Sequence, residues 1–87
     1  MKIEPEELAS VTRRLKRASG QLTGIIKMIE DGRECEDIVT QLAAGRKAVD
    51  RAGYATIATG LRQCMAQPEG ESEESIEKLE KIFLSLA

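Results

Sequence analysis

The sequence predicts an all-α protein of three helices, two long and one short, in a single domain over residues 1–87. Apolar residues recur at alternating spacings of three and four along most of the chain, which is typical of one face of an amphipathic helix. Glycine and proline separate these periodic segments, where they predict turns. No segment shows the period of two that indicates a strand, and no internal repeat is present.

The first helix is expected from about residue 6 to residue 30. Pro5 stands at its entrance, and two glutamates in its first turn suit the positive end of the helix dipole. Gly32 provides a stop signal after its last turn. The face predicted to point inward comprises Leu8, Val11, Leu15, Ala18, Leu22, Ile25 and Ile29.

The second helix is expected from about residue 35 to residue 66, with no proline before Pro68. Its three interior glycines each cost roughly 1 kcal/mol relative to alanine in a helix. We therefore expect close backbone packing or a kink at Gly45, Gly53 and Gly60.

The third helix is expected from about residue 72 to residue 86, after a turn around Pro68 and Gly70. Ser72 is its predicted N-cap, followed by two glutamates in the first turn. Its apolar face comprises Ile76, Leu79, Ile82, Phe83 and Leu86.

A chain of 87 residues whose only aromatic residues are Tyr54 and Phe83 can build little core of its own. A domain of this size buries only about 60–65% of the surface of its unfolded chain. Because the chain is 41% apolar and periodic, it is expected to be globular rather than disordered. An obligate oligomer is the simplest source of the missing core.

Charge is distributed unevenly, although the formal net charge is only −2. Basic residues dominate the first two helices, whereas six glutamates follow Pro68. If the apolar face of helix 1 points inward, its basic residues lie on the outer faces. Basic residues of helix 2 could enlarge this basic surface. A solvated charged surface is the common meaning of such a run, and DNA binding is the functional alternative. The candidate DNA-binding residues are Arg13, Arg14, Lys16, Arg17, Arg46 and Lys47.

The sequence contains no helix-turn-helix pattern, no zinc-finger pattern and no aromatic stacking platform. DNA recognition would therefore depend on phosphate contacts together with some base or shape readout. Such binding should weaken steeply as the salt concentration rises.

Two cysteines and no histidine form the most unusual feature of the composition. Cys64 follows Cys35 by 29 residues, which separates them by about 44 Å along a continuous helix. A disulfide requires Cα atoms within about 7 Å, so one chain cannot join its own pair. If two copies of helix 2 pack antiparallel about a two-fold axis, Cys35 of one lies near Cys64 of the other.

The absence of histidine limits the metal ions that the two cysteines could bind. Structural zinc usually takes four Cys or His ligands, so zinc and nickel fit poorly here. Copper(I) held by two thiolates remains chemically allowed, because soft sulfur ligands select it. The alternative is that both cysteines are small hydrophobic residues in a helical seam. With no glycine-rich phosphate loop and no acid/base pair, we expect neither an enzyme nor a resident cofactor.

The N-terminal segment is acidic and no run of 18 apolar residues occurs, so neither a signal peptide nor a membrane span is expected. A cytoplasmic location follows from this expectation. In that reducing compartment, two cysteines are expected to be reactive, metal-binding or buried rather than joined in a structural disulfide.

The run from Arg14 to Glu30, RLKRASGQLTGIIKMIE, followed by Cys35 and then by QLAA at 41–44, resembles the CsoR/RcnR family of bacterial repressors. The similarity extends from about residue 8 to residue 86. The resemblance implies a three-helix protomer that forms an antiparallel dimer with a four-helix bundle and then a tetramer, a dimer of dimers. It also implies that operator DNA is the partner.

In copper-sensing members of this family, the second helix carries the pattern H-x-x-x-C, and another cysteine comes from the second protomer. The matching stretch here is GLRQC, so Gly60 replaces the histidine and no metal site is expected. Two cysteines without the histidine resemble the CstR-type branch, which responds to persulfides and polysulfides.

This second resemblance implies that Cys35 attacks a sulfane sulfur donor and that the partner's Cys64 closes a di-, tri- or tetrasulfide bridge, which releases the DNA. The alternatives are a copper(I)-responsive repressor that uses Cys35 and Cys64 as its only ligands, and a helical interaction module that senses nothing.

Overall fold

The computed structural model describes residues 1–66 and 71–87, and this part of the chain is helical without any strand. A 3-10 turn at Pro5–Leu8 leads into α1, Ala9–Glu30. The other helices are α2, Cys35–Met65, and α3, Glu71–Leu86. The predicted all-α protomer of two long helices and one short helix is therefore confirmed. The predicted turn at Pro68 and Gly70, and the capping role of the Ser72 side chain, lie outside the described part.

The C-terminal end of α1 is closed by backbone hydrogen bonds around a glycine. Gly32 has a φ of +71°, a left-handed conformation that glycine adopts without steric cost. Its N–H donates to the carbonyl of Ile29 at 3.1 Å, and the N–H of Arg33 donates to the carbonyl of Met28 at 3.0 Å. These two bonds form a Schellman motif, which ends α1 and reverses the chain toward α2.

The core of the protomer lies along α2, which packs against both α1 and α3. Val11, Ala18 and Ile25, spaced seven residues apart, are the buried residues of α1. Six residues of α2 are buried, among them two of the three predicted glycine positions: Gly45, Ala52, Ile57, Thr59, Gly60 and Cys64. The protomer contains two packed helix pairs, α1 with α2 and α3 with α2. It is elongated, with extents of 56 × 26 × 12 Å.

The predicted inward face of α1 is only partly covered, which corrects the sequence-based expectation. Leu15, Leu22 and Ile29 are 46%, 43% and 57% exposed. The physical reason is that α1 packs against a single long helix, so only the residues on the line of contact lose their solvent. The other residues of the apolar stripe keep much of their surface exposed in the protomer, even where one of them, Leu22, lies against Gly45 of α2.

Two of the α2 glycines accommodate leucine side chains from the neighbouring helices, within a helix that runs from Cys35 to Met65. A Cβ at Gly45 would lie 3.5 Å from Cδ2 of Leu22, and one at Gly53 would lie 3.3 Å from Cδ1 of Leu86. Leucines of α1 and α3 therefore lie against bare backbone at these two positions. A further contact between α2 and α3 joins the rings of Tyr54 and Phe83, which pack at a centroid distance of 5.5 Å.

Among the described residues, no helix is long and apolar enough to cross a lipid bilayer.

Candidate thiol site and basic surface

Cys35 is the first residue of α2, directly after the turn that ends α1. Its thiol is free and the residue is exposed. Acidic residues occupy the first turn of α2 beside it, and one of them, Asp37, lies 3.7 Å from the guanidinium of Arg33. The position leaves Cys35 accessible to a dissolved reagent or to a second chain.

Cys64 lies in the last turn of the same helix and has the opposite environment. Its thiol is also free, but the residue is only 3% exposed. The protomer does not bring the two cysteines together, because they lie 29 positions apart on one continuous helix. Both remain predicted sensing residues, and any reaction that joins them requires two chains.

The side chain beside the Cys64 thiol is that of Met1. The Sγ of Cys64 lies 3.5 Å from the Sδ of Met1, close enough for the thiol to donate a weak hydrogen bond. A cavity of about 210 Å³ adjoins Met1 and is also lined by Ile3 and by Ser75, Lys78 and Leu79 of α3. Sequence reasoning missed Met1, and no local signal pointed to it, since the contact joins residues 63 positions apart.

The described part of the protomer holds no group of three or more His, Cys, Asp or Glu side chains suited to a metal ion. The carboxylates around Cys35 lie at one end of α2 and Cys64 lies at the other. Within residues 1–66 and 71–87, a divalent metal that takes nitrogen, oxygen and sulfur ligands together therefore has no assembled site.

The predicted basic residues lie on the surface. All six are exposed: Arg13, Arg14, Lys16, Arg17, Arg46 and Lys47. The Nε of Arg46 lies 4.0 Å from a carboxylate oxygen of Asp50, so part of its charge is compensated within α2.

A shallow groove of about 210 Å³ runs between α1 and α2 on the basic side. Three arginines line it together with Gln21: Arg14 and Arg17 from α1 and Arg51 from α2. Among the described residues, no carboxylate lies within 4.0 Å of these guanidinium groups. Arg51 was missed as a candidate by sequence reasoning. Its spacing of four residues from Lys47 places both on one face of α2 and was the available signal.

Two kinds of comparison relate this chain to known proteins. The family model described as metal-sensitive transcriptional repressor matches residues 7–85. The copper-sensing transcriptional repressor CsoR of Bacillus subtilis is 32% identical over 80 residues, which cover 90% of this chain and 79% of that protein.

Two further relatives match over shorter segments. The copper-sensing transcriptional repressor CsoR of Mycobacterium ulcerans is 34% identical over 68 residues, which cover 76% of this chain and 58% of that protein. The uncharacterized protein YrkD of Bacillus subtilis is 40% identical over 53 residues, which cover 59% of this chain and 84% of that protein.

Proposed function

Because the chain belongs to the CsoR/RcnR family of metal-sensitive transcriptional repressors, which are not enzymes, we propose that it is a cytoplasmic repressor that responds to persulfides and polysulfides. In this proposal the reduced protein binds operator DNA, and a sulfur bridge between Cys35 and the partner's Cys64 releases it. The observation that carries the proposal is the placement of the thiols. One is exposed at the start of α2, and the other is buried at its end.

The bridge needs an assembly, and the uncovered apolar surface of the protomer supports one. Leu15, Leu22, Ile26 and Ile29 of α1 are exposed, as are Val39, Leu42 and Val49 of α2. A surface of this kind on a small protein favours association with another copy. We propose an antiparallel dimer in which two α1–α2 pairs cover these residues, and a tetramer formed from two such dimers.

The sulfur chemistry is balanced without an additional oxidant. The Cys35 thiolate attacks the sulfane sulfur of a persulfide donor, forms an S–S bond and expels the donor's thiol, so that Cys35 becomes a persulfide. The thiolate of the partner's Cys64 then attacks the Sγ of Cys35, which breaks the S–S bond of the persulfide, expels its outer sulfur as hydrosulfide and leaves a disulfide. A second transfer of sulfane sulfur before closure lengthens the bridge by one S–S bond of about 2.05 Å, which gives a trisulfide.

The exposed arginines are the proposed contacts with DNA phosphates. Arg13, Arg14, Lys16 and Arg17 of α1 and Arg46 and Lys47 of α2 supply positive charge, and the groove adds Arg51. Salt-dependent phosphate binding by several protomers positions a repressor on its operator. Cross-linking the ends of α2 would then favour an arrangement of protomers whose basic surfaces no longer match the DNA.

Operator release is the test of this proposal. DNA selected from a random-sequence pool is bound by the reduced protein, and electrophoretic mobility is measured before and after addition of inorganic polysulfide. We expect release by the natural sequence and retention by Cys35→Ala and by Cys64→Ala. Release that persists in both variants would contradict the proposal.

The second candidate is a copper(I)-responsive repressor, favoured by the similarity of this chain to the copper-sensing repressors of Bacillus subtilis and Mycobacterium ulcerans. Cys35 and the partner's Cys64 would supply two thiolates, the soft ligands that copper(I) selects. Anaerobic titration with copper(I) distinguishes the candidates. Stoichiometric binding that abolishes DNA binding without any sulfur donor supports the copper candidate.

A further inference from the structure

The first residue of the chain and the last turn of α2 form a pair of sulfur atoms. The Sδ of Met1 lies 3.5 Å from the Sγ of Cys64. Cys64 is almost fully buried, whereas Met1 is 59% exposed and also lines the cavity beside α3.

Gly60, one helical turn before Cys64, makes room for this contact. A Cβ at position 60 would lie 3.1 Å from Cε of Met1 and 3.1 Å from Cδ1 of Leu79. This distance is shorter than an ordinary van der Waals contact between carbon atoms. The methyl end of Met1 therefore occupies space that any larger residue at position 60 would take.

From this arrangement we propose that Met1 and Cys64 of one protomer are two ligands of a copper(I) site, with the thioether of Met1 as the ligand that replaces a missing imidazole. Thiolate and thioether are soft donors, which select copper(I) over hard cations such as magnesium or calcium. On binding, the Cys64 thiol loses its proton to solvent and forms the Cu–S bond. The thioether donates an electron pair and loses nothing.

The distance between the sulfur atoms fits this role after a small movement. With metal–sulfur bonds of about 2.3 Å, two sulfur ligands lie about 4.0 Å apart in a trigonal site and about 4.6 Å apart in a linear one. Met1 must therefore withdraw by roughly 0.5–1 Å. A side chain with three rotatable bonds, bordered by a cavity, can do so without moving α2.

This copper(I) site is separate from the proposed response to polysulfides. It rests on the second candidate function, the copper(I)-responsive repressor, and adds Met1 as a ligand from the same chain as Cys64. It requires neither Cys35 nor release of DNA. A trigonal site has one further position, which the partner's Cys35 would fill in the antiparallel dimer proposed above. Variants that lack Cys35 therefore separate the two ideas.

The experiment is an anaerobic competition for copper(I) against a chromophoric chelator, followed by the absorbance of the chelator complex. Met1→Leu is produced from a fusion that is cleaved directly before residue 1. Met65→Leu is the matched control, because Met65 neighbours Cys64 in sequence but is 80% exposed. We expect binding of one copper(I) per chain, a loss of affinity of about tenfold or more in Met1→Leu, no change in Met65→Leu and no binding in Cys64→Ser.

A second readout follows the methyl groups of methionine by NMR, with silver(I) as a stable diamagnetic probe. We expect the Met1 methyl signal to shift on binding while that of Met65 stays in place. Both measurements are repeated in a Cys35→Ala background, where the same dependence on Met1 is expected even if polysulfide has no effect on DNA binding. Equal copper(I) affinities of Met1→Leu and Met65→Leu in that background would overturn the proposal, as would an unshifted Met1 signal.

Discussion

Cys35 and Cys64 occupy the first and the penultimate residues of one helix, yet Cys35 is exposed and Cys64 is only 3% exposed. The same type of side chain therefore has two environments within one protomer. This difference suits an ordered reaction in which an accessible thiol meets the reagent first and a protected thiol reacts second. It also makes the two thiols separately measurable.

The first prediction concerns their rates of alkylation. Under native, reducing conditions iodoacetamide should modify Cys35 at least tenfold faster than Cys64, because the reagent must reach a thiolate and burial prevents this. Quantitative peptide mass spectrometry over time gives both rates. In concentrated urea the difference should largely disappear. Faster modification of Cys64 than of Cys35 in the native protein would contradict the described burial.

The second prediction tests whether the bridge joins two chains. The Cys35→Ala and Cys64→Ala chains have equal masses, so one of them is labelled with nitrogen-15. Each should give no cross-link with polysulfide when treated alone. After the two are mixed, unfolded and refolded together, one bridge per heterodimer should form, since each chain then supplies one thiol. Intact-mass spectrometry under non-reducing conditions detects it and counts its sulfur atoms. Cross-linking of either variant alone would rule out the proposed pairing.

The third prediction assigns the groove arginines to DNA binding. Arg17→Ala and Arg51→Ala should each weaken binding to selected operator DNA and reduce the slope of log K against log salt by about 1. Fluorescence anisotropy across a series of salt concentrations measures both quantities. Lys78→Ala is the control, because Lys78 lies on the acidic α3, 3.3 Å from a carboxylate oxygen of Glu74. An effect of Lys78→Ala as large as that of Arg17→Ala would refute the assignment.

The fourth prediction uses two glycines with different backbone conformations. Nothing lies within 4 Å of a Cβ at Gly24, so Gly24→Ala should raise the free energy of unfolding by up to about 1 kcal/mol through helix propensity alone. Gly32 has a φ of +71°, so Gly32→Ala should lower it by about 1 kcal/mol. Urea unfolding followed by circular dichroism measures both. A loss of stability in Gly24→Ala would show that a second chain packs against that face.

Periodic apolar residues predicted the three helices because a helix period is a local property of the chain. The same periodicity wrongly predicted that Leu15, Leu22 and Ile29 are covered within the protomer. Periodicity identifies an apolar face but not the number of neighbouring helices that cover it. The bounds of the helices show a similar limit. Pro5 was expected to open an α-helix, yet residues 5–8 form a 3-10 turn and α1 begins at Ala9.

In the candidate site, too, some features follow from the sequence and others depend on tertiary packing. The sequence alone determined that Cys35 and Cys64 lie at opposite ends of one helix and that the basic charge belongs to α1 and α2, because both follow from spacing along a regular element. Only the tertiary structure decided that Cys64 is buried, that Met1 lies beside it and that Arg51 joins the groove of Arg14 and Arg17. These contacts join residues distant in the chain, and their formation depends on how three helices pack, which no local pattern encodes.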